Sequence, residues 1–217
     1  LRVSQLPHLV DAVMYNRNRN MEDIAMFEIG NVYITDSEVL TKLPNERKLL
    51  SGVWSGVSSA THWSKTERAV DFYDVKGVLD GLFAYLGIAD VRYQADQPKG
   101  FHPGKTAAIY LPAADGEIRI GWVGQLHPQL QEEYELDETY LFELELEAIY
   151  EQAVTEIQYN PLPRYPSSGR DMAVVVDADL EAGKMLELIR AEAGPLLESL
   201  ELFDVYDGEN VEAGKKS

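Results

Sequence analysis

"FEIGNVYITD", Phe27 to Asp36, is rich in aromatic and β-branched residues and ends in Thr-Asp. It reads as a strand that leaves a sheet and turns into a polar loop. The loop is "DSEVLTKLPNE", and "RKLLSGVWSG" returns as a second strand with Gly and Ser at its far end. Ahead of this hairpin, Leu6, Leu9, Val10, Val13 and Met14 fall at helical spacing. The spacing predicts an amphipathic helix from Gln5 to about Asn18, with Pro7 in its first turn. "NRNRN" ends the helix, and the strand spans Ala25 to Tyr33.

Downstream the pattern stays α+β. Asp71 stands where a helix N-cap belongs, and Phe72, Val75, Leu79, Leu82, Phe83 and Leu86 form a buried stripe that closes at Gly87. A short strand near Val91 to Gln94 and the loop "QPKGFHPGK" come next. They precede a hairpin of "TAAIYLP" and "EIRIGWVG" around the turn "AADG". "HPQLQEEYEL" is a short helix with Pro128 near its start, and "TYLFELELEAIY" is an alternating strand that runs on into a helical turn. "YNPLPRYPSSGR", Tyr159 to Arg170, holds three prolines, two serines and a glycine, which marks a domain boundary. The expected division is residues 1–158, a linker at 159–170, and 171–217. The last part reads as a strand (Asp171 to Asp177), a helix (Glu181 to Ala193) and a second strand (Leu197 to Tyr206). That order suggests a ferredoxin-like βαβ unit that loses its second half at Ser217.

With 217 residues, 45% hydrophobic, 26% charged and 12 Tyr, the chain can bury a substantial core. No stretch approaches the roughly 20 apolar residues of a membrane helix, no apolar signal segment opens the chain, and there is no cysteine. These features predict a cytoplasmic protein. The first helix begins almost at once and the last sheet-like pattern stops short, so a piece of a longer protein is expected. The net charge is -18, from 19 Lys+Arg against 37 Asp+Glu. A field of that sign repels phosphate backbones, which disfavours general nucleic-acid binding.

Candidate chemistry is sparse. His8, His62, His102 and His127 never pair at three- or four-residue spacing, which argues against a structural zinc site. His102 and His127 each precede a proline. They read either as turns in which the ring donates one hydrogen bond, or as a pair of loops lining one cleft. "GVWSGVSS" lacks the lysine and helix start of a phosphate loop, and no nucleophile elbow is present. Glu143, Glu145 and Glu147 alternate along a strand pattern and read as a solvated face.

The ordered motifs "LRVSQLPHLV", "FEIGNVY", "DFYDVKG", "FHPGK", "GQLHP", "FELELE", "YPSSGRDMAVVVD" and "LFDVYDG…GKKS" span nearly the whole chain. In that order they closely resemble the C-terminal part of bacterial phenylalanyl-tRNA synthetase beta subunits. The resemblance implies a class II synthetase-like antiparallel sheet with helices, followed by a truncated ferredoxin-fold anticodon-binding unit. In active class II synthetases the strand matching "FEIG" runs on through a pattern like R-V-F-R-x-E, whose second arginine neutralises charge on ATP as the adenylate forms. Here the run is Asn31, Val32, Tyr33, Ile34, Thr35, Asp36, and Ile34 stands in place of that arginine. A second, glycine-rich ATP signature, matched to "GWVGQLHPQLQ", also offers no arginine.

The resemblance therefore implies a scaffold without catalytic, cofactor or metal residues of its own. It would serve an (αβ)₂ heterotetramer whose alpha subunit joins phenylalanine to tRNA(Phe) with ATP and Mg²⁺. Contacts to tRNA would fall on Arg164, Arg170, Lys215 and Lys216. From Asn160 to Ser217, however, six basic residues face twelve acidic ones. Two rival readings are an interaction module unrelated to translation and an active ATP-dependent ligase; Ile34 opposes the second.

Overall fold

A computed structural model of the chain describes residues 1–217 apart from 36–41, 60–61, 65, 114–115, 155–158, 160–164 and 209. The chain divides into two units, Leu1–Ile157 and Gln158–Ser217.

The first unit is built on a six-stranded antiparallel sheet. Its strands are β1 (Ile24–Ile34), β2 (Asn45–Ser55), β3 (Arg92–Ala95), β4 (Phe101–Ala113), β5 (Gly116–Leu126) and β6 (Thr139–Glu145), in the order β1-β2-β6-β5-β4-β3. The quoted stretch enters β1, an edge strand that pairs along its length with β2, from Ile24 opposite Ser55 to Ile34 opposite Asn45. Asp36 and most of the loop after it lie outside the described residues, as does the centre of the "AADG" turn.

Successive side chains of a strand point to opposite faces, and each face of this sheet buries its own cluster. Helix α1 (Leu6–Arg17) sets Leu9, Val10 and Val13 against Val53, Phe101, Leu126 and Leu141. Helices α2 (Phe72–Tyr85) and α4 (Leu146–Gln152) cover the opposite face, where Val75, Leu79, Phe83 and Ile149 join Ile109, Leu111, Ile120 and Leu144. The short α3 (Pro128–Glu133) follows β5, with Leu130 against the α1 cluster. Helix α2 begins as its sequence predicts. The Asp71 carboxylate accepts from the Tyr73 and Asp74 N–H groups, and Asp74 returns the bond to the Asp71 N–H, forming a capping box.

Two expectations about the elements of this unit need correction. The "FHPGK" part of the expected loop is the start of β4, with an irregular register between Phe101 and Thr106. Pro103 has no N–H to give the ladder, and the Thr106 hydroxyl bridges the break by donating to the His102 carbonyl at 2.7 Å. Glu147 is not on the strand but in α4.

The second unit departs furthest. It contains β7 (Val176–Asp177), α5 (Ala182–Ala193), a 3-10 turn (Gly194–Leu196) and β8 (Lys215–Lys216). Strand β7 is much shorter than the predicted Asp171–Asp177, and its antiparallel partner is β8 rather than Leu197–Tyr206. A ladder forms only where a second backbone lies alongside. Residues Leu197 to Val205 have none among the described residues, while Tyr206 exchanges two backbone bonds with Ser217 at 2.7 and 2.8 Å.

Candidate functional site

The face of the sheet under α1 carries the polar residues that matter most. Strand register places Glu28, Ser51, Glu143, Trp122, Ala108 and Gln94 in one row across all six strands. The Glu143 carboxylate accepts from the Gln5 N–H at 2.8 Å and the Ser4 hydroxyl at 2.9 Å. It thereby holds the entry to α1 against β6. Ser51 Oγ lies 2.7 Å from Gln5 Oε1 and 3.3 Å from Glu143 Oε1, and its single proton serves the shorter contact. Gln5 is fully buried, and its Nε2 has no hydrogen-bond partner among the described residues.

Arg2 completes the cluster. Its guanidinium pairs with Glu28 at 2.7 Å and donates to the Asn31 carbonyl at 3.0 Å, while its own carbonyl accepts from the Tyr33 N–H. Gly30 makes this approach possible: a Cβ there would sit 2.4 Å from Arg2 Nη2 and 2.6 Å from Gln5 Nε2. The chain's own residues 2–5 thus fill the sheet face over Gly30. Alternation places Ile34 on that same face, half-buried at the end of β1.

Glu143 was expected on a solvated face; it is instead half-buried and hydrogen-bonded through Oε1, because α1 lies over β6. Glu145 pairs with Arg47 at 2.7 Å. The glycines of "GWVGQL" have a packing role. Gly121 has φ +154°, and a Cβ on it would meet the Glu143 carbonyl oxygen at 1.9 Å, so its bare backbone is what lets β5 close on β6. The strand-to-helix unit β6–α4 contains no arginine, and β5–α3 contains only Arg119, which lies ahead of the "GWVGQL" run.

His102 and His127 are brought near one another by the β4–β5 pairing of Phe101 with Leu126. Each ring accepts rather than donates: Nδ1 of His102 takes the Gly104 N–H at 2.9 Å, and Nδ1 of His127 takes the Gln129 N–H at 3.2 Å, capping α3. His102 lies in the irregular start of β4, and His127 is the N-cap of α3. Among the described residues no group of three or more His, Cys, Asp or Glu could hold a metal ion.

Of the residues expected to contact tRNA, Arg164 lies outside the described residues. Among the described residues Arg170 bonds within its own segment, to Ser168 and the Gly169 carbonyl. Lys215 pairs with Asp177 at 2.7 Å and holds that carboxyl below its usual range, while Lys216 donates to the Ala178 and Leu180 carbonyls. The two lysines therefore brace the β7–β8 ladder.

Sequence reasoning missed two side-chain assemblies, one created by strand order and one made consequential by burial. Trp122 is fixed by its Nε1 bond to Asp96 at 2.8 Å and covered by Arg119, 4.5 Å from the ring centroid. The Trp122 bond, then the Gln97 N–H, lowers the Asp96 carboxyl. Buried Tyr140 donates to Glu138, which Lys105 also reaches at 3.2 Å; burial, then that carboxylate, raises the phenol.

Residues 1–146 match the model of the "Phenylalanyl tRNA synthetase beta chain CLM domain", and residues 163–217 match the "Ferredoxin-fold anticodon binding domain". A phenylalanine–tRNA ligase beta subunit from Halalkalibacterium halodurans is 42% identical over 218 residues, and one from Geobacillus kaustophilus is 45% identical. Each alignment takes in 100% of this chain and 26% of the relative, so the chain spans about a quarter of the length of the curated relatives it matches. A solved pyrrolysyl-tRNA synthetase from Desulfitobacterium hafniense is 17% identical, covering 69% of this chain and 48% of that one, with a TM-score of 0.48. An antiparallel α+β unit of synthetase-chain type, followed by an anticodon-binding type of unit, is the class the two family models define. The chain belongs to the phenylalanyl-tRNA synthetase beta chain family.

Proposed function

We propose that this chain is a non-catalytic region of a phenylalanyl-tRNA synthetase beta subunit. In that role it supports a catalytic alpha subunit and the tRNA(Phe) to which that subunit attaches phenylalanine. The observation that carries this reading is the filled sheet face. Arg2 and Gln5 pack over Gly30, and Ile34 occupies the position where the resemblance implies a phosphate-binding arginine. An isoleucine cannot neutralise charge developing on a phosphate.

On this reading residues 1–158 are a class II synthetase-like core, 159–170 a linker, and 171–217 the first half of a ferredoxin-fold anticodon-binding unit. ATP and Mg²⁺ belong to the whole cytoplasmic (αβ)₂ enzyme. The residues present here do not fit either: a nucleotide would meet no arginine from the expected signatures, and no acidic cluster for a cation exists among the described residues. Arg164, Arg170, Lys215 and Lys216 are the proposed tRNA contacts, on a unit that is acidic overall. Anticodon loops are held largely by splayed bases stacking on flat side chains, which needs little net charge.

Two measurements test the proposal. Phenylalanine-dependent ATP–pyrophosphate exchange by the purified chain should stay at the no-protein blank. Size-exclusion chromatography with the alpha subunit should give co-elution. Turnover above the blank would overturn the non-catalytic assignment, and failure to co-elute at high micromolar concentration would overturn the supporting role.

A further inference from the structure

A cavity of about 240 Å³ lies between α1, the Lys99–Phe101 segment and α3. Its floor is apolar and comes from both layers: Val10 of α1 and Phe101, Leu126 and Leu141 of the sheet, each otherwise buried in the α1 cluster. Leu130 of α3 forms a half-buried wall. The mouth carries one charge of each sign, Asp11 and Lys99. Both are exposed, and neither has an ion-pair or hydrogen-bond partner among the described residues.

Size and polarity together define what fits. Pockets for drug-sized molecules run from about 300 Å³ upward, so this one takes something smaller. The cleft is half open to solvent, and its apolar floor favours a hydrocarbon body over water. The mouth offers a carboxylate and an ammonium, and an occupant that satisfies both carries the complementary two charges at one end. We propose that the cavity is a binding site for a free aliphatic amino acid, with its side chain on the Val10–Leu141 floor. Lys99 faces the α-carboxylate and Asp11 the α-ammonium. The site uses none of the residues that fill the Gly30 face, apart from the neighbouring backbone entry at Ser4, and does not rest on the synthetase reading.

Titration of the whole 217-residue chain with L-leucine, followed by amide NMR shifts, tests this. Saturable shifts are expected over Leu6–Asp11, Lys99–Phe101 and Leu126–Tyr134, with a Kd on the order of 1 mM, as suits a ligand of few atoms. 4-Methylpentanoate, which lacks the ammonium, and isoamylamine, which lacks the carboxylate, should each bind roughly two- to fivefold more weakly, since both charge contacts are solvent-exposed. Asp11→Asn should erase the preference for leucine over 4-methylpentanoate, and Lys99→Gln the preference over isoamylamine. Leu130→Trp should fill the cavity and abolish the shifts. Absence of saturable shifts at tens of millimolar, or discrimination unchanged in both charge variants, overturns the proposal. The two charge variants decide the matter even if Leu130→Trp fails to fold.

Discussion

At the scale of single residues, the polar cluster under α1 makes the sharpest demands. Gly30→Ala would drive a methyl into Arg2 and Gln5, costing about 1–3 kcal/mol as the two side chains give way. Arg2 is a flexible, part-exposed chain whose ion pair with Glu28 contributes little, whereas Gln5 is fully buried, so Gln5 sets the cost. In a Gln5→Ala background the same glycine change should cost measurably less, and a denaturant double-mutant cycle showing no coupling would refute the contact. Glu143→Ala removes the acceptor for the Gln5 N–H and the Ser4 hydroxyl. It should destabilise the first unit by about 1–3 kcal/mol, because a buried N–H is left without a partner. Ile34→Arg is the complementary case. It restores the missing cation but leaves Arg2 and Gln5 over Gly30, so ATP–pyrophosphate exchange should remain at background; a clear gain would mean that arginine loss alone silenced the face.

At the scale of elements, most of what the sequence predicts depends on local signals, and most of what it misses depends on pairing. The α2 cap was legible because a capping box needs only residues three apart, here Asp71 and Asp74. Strands β2 and β6 were legible because their apolar content matches burial by the helices, and β1 because it is rich in β-branched and aromatic residues even though Phe27 and Ile29 stay exposed. The solvated reading of Glu143 failed because its partners are Ser4 and Gln5, 139 and 138 residues away. Polar alternation along a strand does not reveal whether a helix entry lands on that face. The Trp122–Asp96 and Tyr140–Glu138 bonds were illegible for related reasons: the first needs strand order, and the second needs the burial that makes a short-range bond consequential. The α2 cap also carries a pH dependence. Arg68 hydrogen-bonds Asp74 and holds its carboxyl below the usual range, with the Asp71 N–H adding to the effect. A depressed carboxyl stabilises the fold above its unfolded pKa of about 3.9, and that contribution is lost as pH falls through the lower folded value. Thermal unfolding of the wild type should therefore weaken below about pH 4 more steeply than that of Asp74→Asn. Asp71→Ala, which removes the cap itself, should cost about 1 kcal/mol at neutral pH.

At the scale of the whole molecule, the two units differ in what holds them. Every buried hydrophobic side chain among the described residues lies between Leu9 and Ile149. In the second unit α5 buries no residue, and Met172, Val175, Leu188, Leu196, Phe203 and Val205 are all exposed. Among the described residues its only ladder joins two residues to two, through Val176 with Lys216 and Asp177 with Lys215. Burying a Leu or Phe contributes about 1.5–3 kcal/mol, while fixing each residue's backbone costs about 1–2 kcal/mol. With almost no burial to offset ordering, this unit should open far more readily than the sheet. A ribbon of two short strands is rarely stable by itself, and a surface ion pair such as Lys215–Asp177 adds little. Amide hydrogen exchange on the full chain should resolve the difference. Central amides of β2, β5 and β6 should exchange only with unfolding of the sheet, whereas amides from Asp171 to Ser217 should exchange orders of magnitude faster. Equal protection in the two units would show that the second gains burial from contacts other than its own, such as those between copies of the chain. Repeating the measurement at several protein concentrations would expose that case, because protection borrowed from another copy falls on dilution.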